Sequence, residues 1–174
     1  MTRIVTVTTR APRRGEVPGT SYRFVDDRTF ETMKTEGAFL EWATVHGESY
    51  GSPRRDVEES LASGKVPLLN VDVQGALSIR RALGGTSVLV FVLPPDEKTL
   101  RARLEGRRSD DRSTIERRLQ RAREEMALAP EYDYVVVNGD LEPAVARLHA
   151  IHEAELSRSG RCLGGEPNDG AGPA

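Results

Sequence analysis

Nine arginines between Arg101 and Arg123 (101, 103, 107, 108, 112, 117, 118, 121 and 123) stand against four acids, Glu105, Asp110, Asp111 and Glu116, a local excess of five positive charges. Arginine forks onto phosphate oxygens through paired N–H donors, and the polar interruption GRRSDDRS between two helical patterns reads as a mobile basic loop. On the residues alone, a phosphate role and a solvated Arg-rich face stand level. A second basic cluster, Arg10, Arg13 and Arg14, meets no acid before Glu16. Two carboxylates are also placed suggestively. Glu41 precedes Trp42 at the end of an apolar run, and Asp72 follows LLNV. In open parallel sheets, ligands bind at the carboxyl ends of strands. The plainer reading, a strand-end cap for Glu41 and a helix N-cap for Asp72, is preferred until more is known.

The elements that must position these groups follow from periodicity. Ile4 to Thr8 (IVTVT) reads as a strand, followed by the loop RAPRRGEVPGTSY. Short strands are expected over Tyr22 to Val25 and Ala38 to Val45, with a short helix over Asp27 to Glu36 between them. A turn over Gly47 to Pro53 leads to a helix over Arg54 to Ser63, stopped by Gly64. Val66 to Val71 and Ser87 to Leu93 are nearly continuous apolar runs, the pattern of parallel strands covered on both faces. Helices are expected over Gln74 to Leu83, Asp96 to Leu104, Ser113 to Leu128 and Leu141 to Leu156, with a strand at Tyr134 to Val137. The alternation predicts an α/β fold with a parallel sheet, into which residues 10–64 are inserted with a small sheet of their own. Residues 157–174 read as a disordered tail.

Composition limits the classes. The 174 residues suit one globular unit, and 37% hydrophobic residues with 16 Gly exclude a wholly disordered chain. The 25 basic and 27 acidic residues give a net charge of −2, which argues against nucleic acid as a partner. No run is long and apolar enough for a membrane partner, and MTRIVTVTTR lacks a signal-peptide pattern, so the expected location is the cytoplasm. The single Cys, Cys162, has no internal disulfide partner. His149 and His152 lack a third ligand and read as surface residues, so no metal site is expected from them.

TTRAPRRGEVPGTSYRF (8–24), FLEWATVHGESYGSP (39–53), LLNVDVQGA (68–76), VFVLPP (90–95), RLEGR (103–107), IERRL (115–119) and YDYVVVNGDLEPAV (132–145) together resemble the ordered motif series of guanylate kinases. The resemblance implies a P-loop-kinase-like core over residues 1–9 and 65–156, a GMP-binding insertion over 10–64 and an Arg-rich lid at about 105–114. It assigns Arg10, Arg13, Tyr22 and Tyr50 to the GMP phosphate. Glu41 and Asp72 would face the guanine edge, helped by Ser52, and Thr6 stands where the family usually has Ser. Arg103, Arg107 and Arg118 match the arginines that neutralise the transferring phosphoryl group, in a reaction catalysed mainly by positioning and charge. ATP with Mg²⁺ is the co-substrate the resemblance implies.

Two departures fall on the ATP side. Within residues 1–174 no G-x-x-x-x-G-K-[ST] loop occurs: the chain has three Lys (Lys34, Lys65 and Lys98), and its one Gly-Lys pair, Gly64-Lys65, is followed by Val66. Asn70 stands where the family usually has the Asp that organises the Mg²⁺ shell, and a neutral amide holds a cation less well. The expectation is that the first βα unit, ~25 residues, is absent. Because neighbouring strands would then lack ladder partners, the expectation is a rearranged sheet, a strand supplied by a partner chain, or a start codon placed too far downstream. The expected function is therefore GMP binding with impaired phosphoryl transfer, ATP binding only if the loop is supplied upstream. The alternative is a non-catalytic guanylate-kinase-like module that takes GMP or a phosphorylated peptide.

Overall fold

The computed structural model describes residues 1–45, 47–106 and 112–158, and the chain divides into two compact units, Met1–Leu89 and Val90–Ala174. The expected tail lies almost wholly outside the described residues, as does the centre of the expected lid.

In the first unit the strand expected over Ile4 to Thr8 is reduced to Val7–Thr8, and a separate two-residue strand precedes it. β1 (Thr2–Arg3) pairs in parallel with β6 (Pro67–Leu68), while β2 (Val7–Thr8) enters a mixed sheet of order β3-β2-β5-β4, with β3 at Arg23–Phe24, β4 at Phe39–Val45 and β5 at Glu48–Pro53. The expected turn over Gly47 to Pro53 is thus mostly strand. ESYGSP has little intrinsic strand preference, and pairing imposes the conformation: β5 is hydrogen-bonded antiparallel to both β2 and β4. The expected strand over Val66 to Val71 is reduced to the two residues of β6.

One face of the mixed sheet is core. Val7, Phe30 and Phe39 are buried together, with Val25 and Met33 against them, and the Phe30 and Phe39 rings stack 4.7 Å apart. Burying each phenyl ring stabilises the unit by about 1.5–3 kcal/mol. Phe30 comes from α1 (Asp27–Thr35), whose N-cap Asp26 accepts from the Thr29 N–H at 2.7 Å. Gly51 on β5 lies under the Phe39 ring, where a Cβ would approach to 2.7 Å. The strand therefore needs glycine there.

α2 (Arg54–Ala62) follows β5 directly and buries Val57, and Gly64 turns the chain after it at φ +71°. α3 (Val73–Leu83) buries Val73, Ala76 and Ile79.

The second unit contains β7 (Val90–Leu93) and β8 (Tyr134–Val137), parallel and in register from Val90 opposite Tyr134 to Leu93 opposite Val137. Among the described residues each unit thus holds a two-stranded parallel pair, β1–β6 in the first and β7–β8 in the second, and β2 also runs parallel to β3 in the mixed sheet. The expected double-sided cover is incomplete: Val92, Val135 and Val137 are 50%, 49% and 41% exposed. Runs such as VFVL and YVVV encode burial on both faces, and here one face of each is only partly covered.

α4 (Glu97–Glu105) and α5 (Arg112–Met126) pack through Leu104, Ile115 and Leu119, with Leu100 beside them. α6 (Leu141–Leu156) is tied to β8 by the Tyr134 hydroxyl, which donates to the buried Glu155 at 2.7 Å. Among the described residues no helix is long and apolar enough to cross a membrane.

Candidate functional site

The face of the mixed sheet opposite the Phe30–Phe39 core gathers the polar residues. Register places Thr8 opposite Phe24 and Tyr50, Tyr50 opposite Ala43, and Ser52 opposite Glu41. Side chains alternate along strands, so Thr8, Tyr50, Ser52 and Glu41 share one face. Glu41 reaches it through an irregularity in pairing between Phe39 and Glu41. Without that bulge Phe39 and Glu41 would point the same way. With it, Phe39 enters the core and Glu41 turns to the opposite side.

Glu41 is therefore not a strand-end cap but an interior residue of β4, only 6% exposed. Ser52, itself buried, donates its hydroxyl to Glu41 Oε1 at 2.6 Å. Burial pushes the Glu41 carboxyl above the usual carboxylate range; the Ser52 hydrogen bond opposes this, and the charge of Asp72 adds to the rise. Asp72 is the N-cap of α3, accepting from the Gly75 N–H at 2.9 Å, so the plainer reading of this residue is observed. It also lies close enough to act on Glu41, and the two roles coexist.

Raising a carboxyl pKa on folding gives a defined sign. Between the ordinary Glu value and its raised folded value, the folded state holds a proton that the unfolded chain has released, so stability falls as pH rises through that window. Thermal unfolding followed against pH should show this loss on the alkaline side of the ordinary Glu value, and Glu41→Gln should remove that part of the profile. An unchanged profile in the variant would overturn the assignment.

At the other end of this face, the Arg10 guanidinium lies 5.2 Å from the Tyr22 ring centre and 5.9 Å from that of Phe24. Tyr22 and Tyr50 meet edge to face at 6.3 Å. Arg10 gives Nη2 to Glu16 Oε1 at 2.7 Å and Nη1 to the Ala11 carbonyl at 2.7 Å. Glu16 also accepts from the Arg13 backbone N–H at 2.7 Å, leaving the Arg13 side chain exposed. The hydrogen bond from Arg10, followed by that from the Arg13 backbone, holds the Glu16 carboxyl below its ordinary value. Glu16 is the residue that sequence reasoning passed over. Its signal was present: it is the first acid after three arginines, spaced three residues from Arg13.

The remaining expected residues divide. Thr6 is half-buried between β1 and β2, its carbonyl accepting from the Arg23 N–H at 2.9 Å. Asn70 is exposed beyond the end of β6. In the second unit Arg103 closes its fork on the carbonyls of Asn138 and Gly139, both at 2.9 Å. Arg118 is half-buried on α5, and Arg107 lies outside the described residues. Other arginines of the cluster are structural: Arg101 pairs with Glu116 at 2.6 Å and Arg123 with Glu97, and both pairs join α4 to α5. Among the described residues no group of three or more His, Cys, Asp or Glu could hold a metal ion.

The family model described as guanylate kinase matches residues 1–155. The chain is 48% identical over 159 residues to a guanylate kinase of Anaeromyxobacter dehalogenans, covering 90% of this chain and 70% of that protein. It is also 48% identical over 157 residues to a guanylate kinase of Thermus thermophilus, covering 90% of this chain and 71% of the relative. The crystal structure of guanylate kinase from Anaplasma phagocytophilum superimposes with a TM-score of 0.80 at 35% identity, over 92% of this chain and 78% of that one.

Proposed function

Because the chain belongs to the guanylate kinase family, we propose that its first unit binds GMP, with guanine against Glu41 and the phosphate against Arg10, Tyr22 and Tyr50. The observation that carries this reading is the buried Glu41, turned out of the core by a bulge and held by Ser52. A buried carboxylate facing a second one, Asp72, is an uncomfortable arrangement until a donor arrives. Guanine supplies donors in a row, N1–H and the 2-amino group, whereas adenine offers no donor at N1. Selectivity then follows from leaving an acceptor unpaired when the wrong base binds.

The phosphate end is complementary in kind. Arg10 supplies a fork, and Tyr22 and Tyr50 supply hydroxyl donors. Arg13, exposed beside them, adds a further fork. Glu16 occupies Arg10 when no phosphate is present and fixes the loop that carries both arginines.

The family reaction moves a phosphoryl group from ATP to GMP, giving ADP and GDP. For residues 1–174 the reading extends to the GMP half. These residues contain no phosphate loop, Asn70 is neutral and exposed, and Arg103 is closed on backbone carbonyls. In the first unit, a neutral Asn70 without a phosphate-loop sequence does not fit Mg²⁺ with ATP. With the polypeptide of residues 1–174, GMP should raise the melting temperature and ATP with Mg²⁺ should not. GDP formation at an ordinary kinase rate would overturn the ATP-side reading. A phosphotyrosine or phosphoserine peptide that binds as tightly as GMP, with no preference for guanine, would favour the phosphopeptide module instead.

GMP binding should also run opposite to apo stability in pH. The acceptor role requires ionised Glu41, so affinity should rise with pH through the raised Glu41 pKa. The GMP phosphate ionises over a neighbouring range, so titration calorimetry of Glu41→Gln alongside the parent chain separates the two contributions.

A further inference from the structure

Gly75 is a glycine that the backbone does not require. It is the third residue of α3, it is buried, and its φ is not among the positive values of the chain. Alanine is the better helix former at such a position. A Cβ there, however, would lie 2.8 Å from Glu41 Oε2, 3.2 Å from Glu41 Cδ and 3.1 Å from Val71 Cβ. Glu41 has little room to give way, because Oε1 is held by Ser52 at 2.6 Å and the residue is buried.

We propose that Gly75 is a positioning residue for base recognition: its missing side chain opens the slot in which the Glu41 carboxylate lies against the first turn of α3. The positive end of the helix dipole there offsets part of the burial penalty on the carboxylate. The slot also sets the distance between Glu41 and Asp72, whose carboxylate caps the same helix through the Gly75 N–H. The slot is therefore built from three coupled pieces: the β4 bulge that delivers Glu41, the Ser52 hydroxyl that pins one oxygen, and Gly75, which admits the other. This inference rests on the reading of Glu41 as the guanine acceptor.

The test compares the chain with Gly75→Ala by titration calorimetry against GMP, IMP and ribose 5-phosphate. IMP keeps N1–H but lacks the 2-amino group, and ribose 5-phosphate reports the phosphate end alone. The expected result is a Gly75→Ala protein that keeps a cooperative thermal transition and its ribose 5-phosphate affinity, yet loses on the order of tenfold in GMP affinity, with the GMP-to-IMP ratio falling toward one. A folded variant with unchanged GMP affinity and ratio would overturn the proposal. If the parent chain fails to bind GMP or to prefer it over IMP, the reading of Glu41 fails instead.

A second measurement leaves Gly75 in place. The Gly75 amide and α-proton resonances, followed by NMR against pH, should titrate with the Glu41 carboxyl. That component should vanish in Glu41→Gln. Gly75 resonances indifferent to Glu41→Gln would equally overturn the slot.

Discussion

Replacing Arg10 by Ala should abolish the stabilisation that GMP confers and lower GMP affinity by about two orders of magnitude. The Arg10 side chain is only 11% exposed, lying on Tyr22 and Phe24 with its fork already directed by Glu16 and the Ala11 carbonyl. A guanidinium placed in this way binds a phosphate dianion at little further entropic expense, because its rotamers are spent before the ligand arrives. A hydrogen bond to a charged group contributes about 1.5–3 kcal/mol, and two such bonds from one fork reach the ~2.7 kcal/mol that a hundredfold change in affinity represents. Removing Arg10 also frees Glu16, whose uncompensated carboxylate would then repel the phosphate. Arg10→Lys keeps the charge without the fork and should fall between Ala and the parent. Calorimetric titration of GMP into the three proteins checks the series. A folded Arg10→Ala protein that binds GMP as the parent does would move the phosphate site elsewhere.

The residues that place Arg10 were legible in sequence, but the residue that aims it was not. Arg10, Arg13, Tyr22 and Tyr50 declared themselves through type and motif, while Glu16 entered the reading only as the first acid after the cluster. Charge counting treats such an acid as a neutraliser, and only distances show that it holds the Arg10 side chain and the Arg13 backbone together. In the Arg101–Arg123 segment charge alone left a phosphate role and a solvated face level, and distances add a third role for part of it: Arg101 and Arg123 pair with acids from the neighbouring helix and Arg103 serves backbone carbonyls.

Strand reading held for β3, β4, β7 and β8 and fell short at β2, β5 and β6, for a related reason. The α-helices emerged within a residue or two of expectation, because capping side chains such as Asp26 and Asp96 and the 3.6-residue period are local signals. β5 is polar and contains Gly51 and Pro53, so nothing local marks it as a strand. Its conformation belongs to its partners, β2 and β4. IVTVT looked like a single strand, yet only Val7–Thr8 pairs in the mixed sheet, while Thr2–Arg3 just before the run pairs with a different sheet, and no local signal marks where one partner is exchanged for the other. The β4 bulge is partly visible in hindsight: Phe39 and Leu40 are consecutive apolar residues that break the alternation just before Glu41. For Asp72 the preferred cap reading is observed, and its charge also acts on Glu41, an effect that residue type alone does not show.

Glu41→Gln should separate binding from stability more sharply than any other substitution in this chain. The amide is nearly isosteric with the carboxylate and can still accept from Ser52, so the bulge and the local packing have no reason to change. Burial disfavours the ionised carboxyl, and a neutral amide escapes that penalty and the repulsion from Asp72. Above the ordinary Glu pKa the variant should therefore melt at a temperature equal to or above that of the parent. For guanine the effect reverses. One acceptor oxygen becomes an NH₂ donor facing N1–H or the 2-amino group, so a hydrogen bond is replaced by a donor–donor clash inside a buried site. Leaving such groups unsatisfied costs ~1–3 kcal/mol each, and with the lost charge assistance the expected fall in GMP affinity is on the order of a hundredfold. Adenine should gain in relative terms, since an amide can donate to its N1 and accept from its 6-amino group, so the preference for GMP over AMP should shrink by a larger factor than GMP affinity itself. Thermal melting at neutral pH together with GMP and AMP titrations tests both halves. A variant that is less stable and equally selective would mean that Glu41 is a structural acid whose ionised form the fold requires, and the guanine edge would need another acceptor.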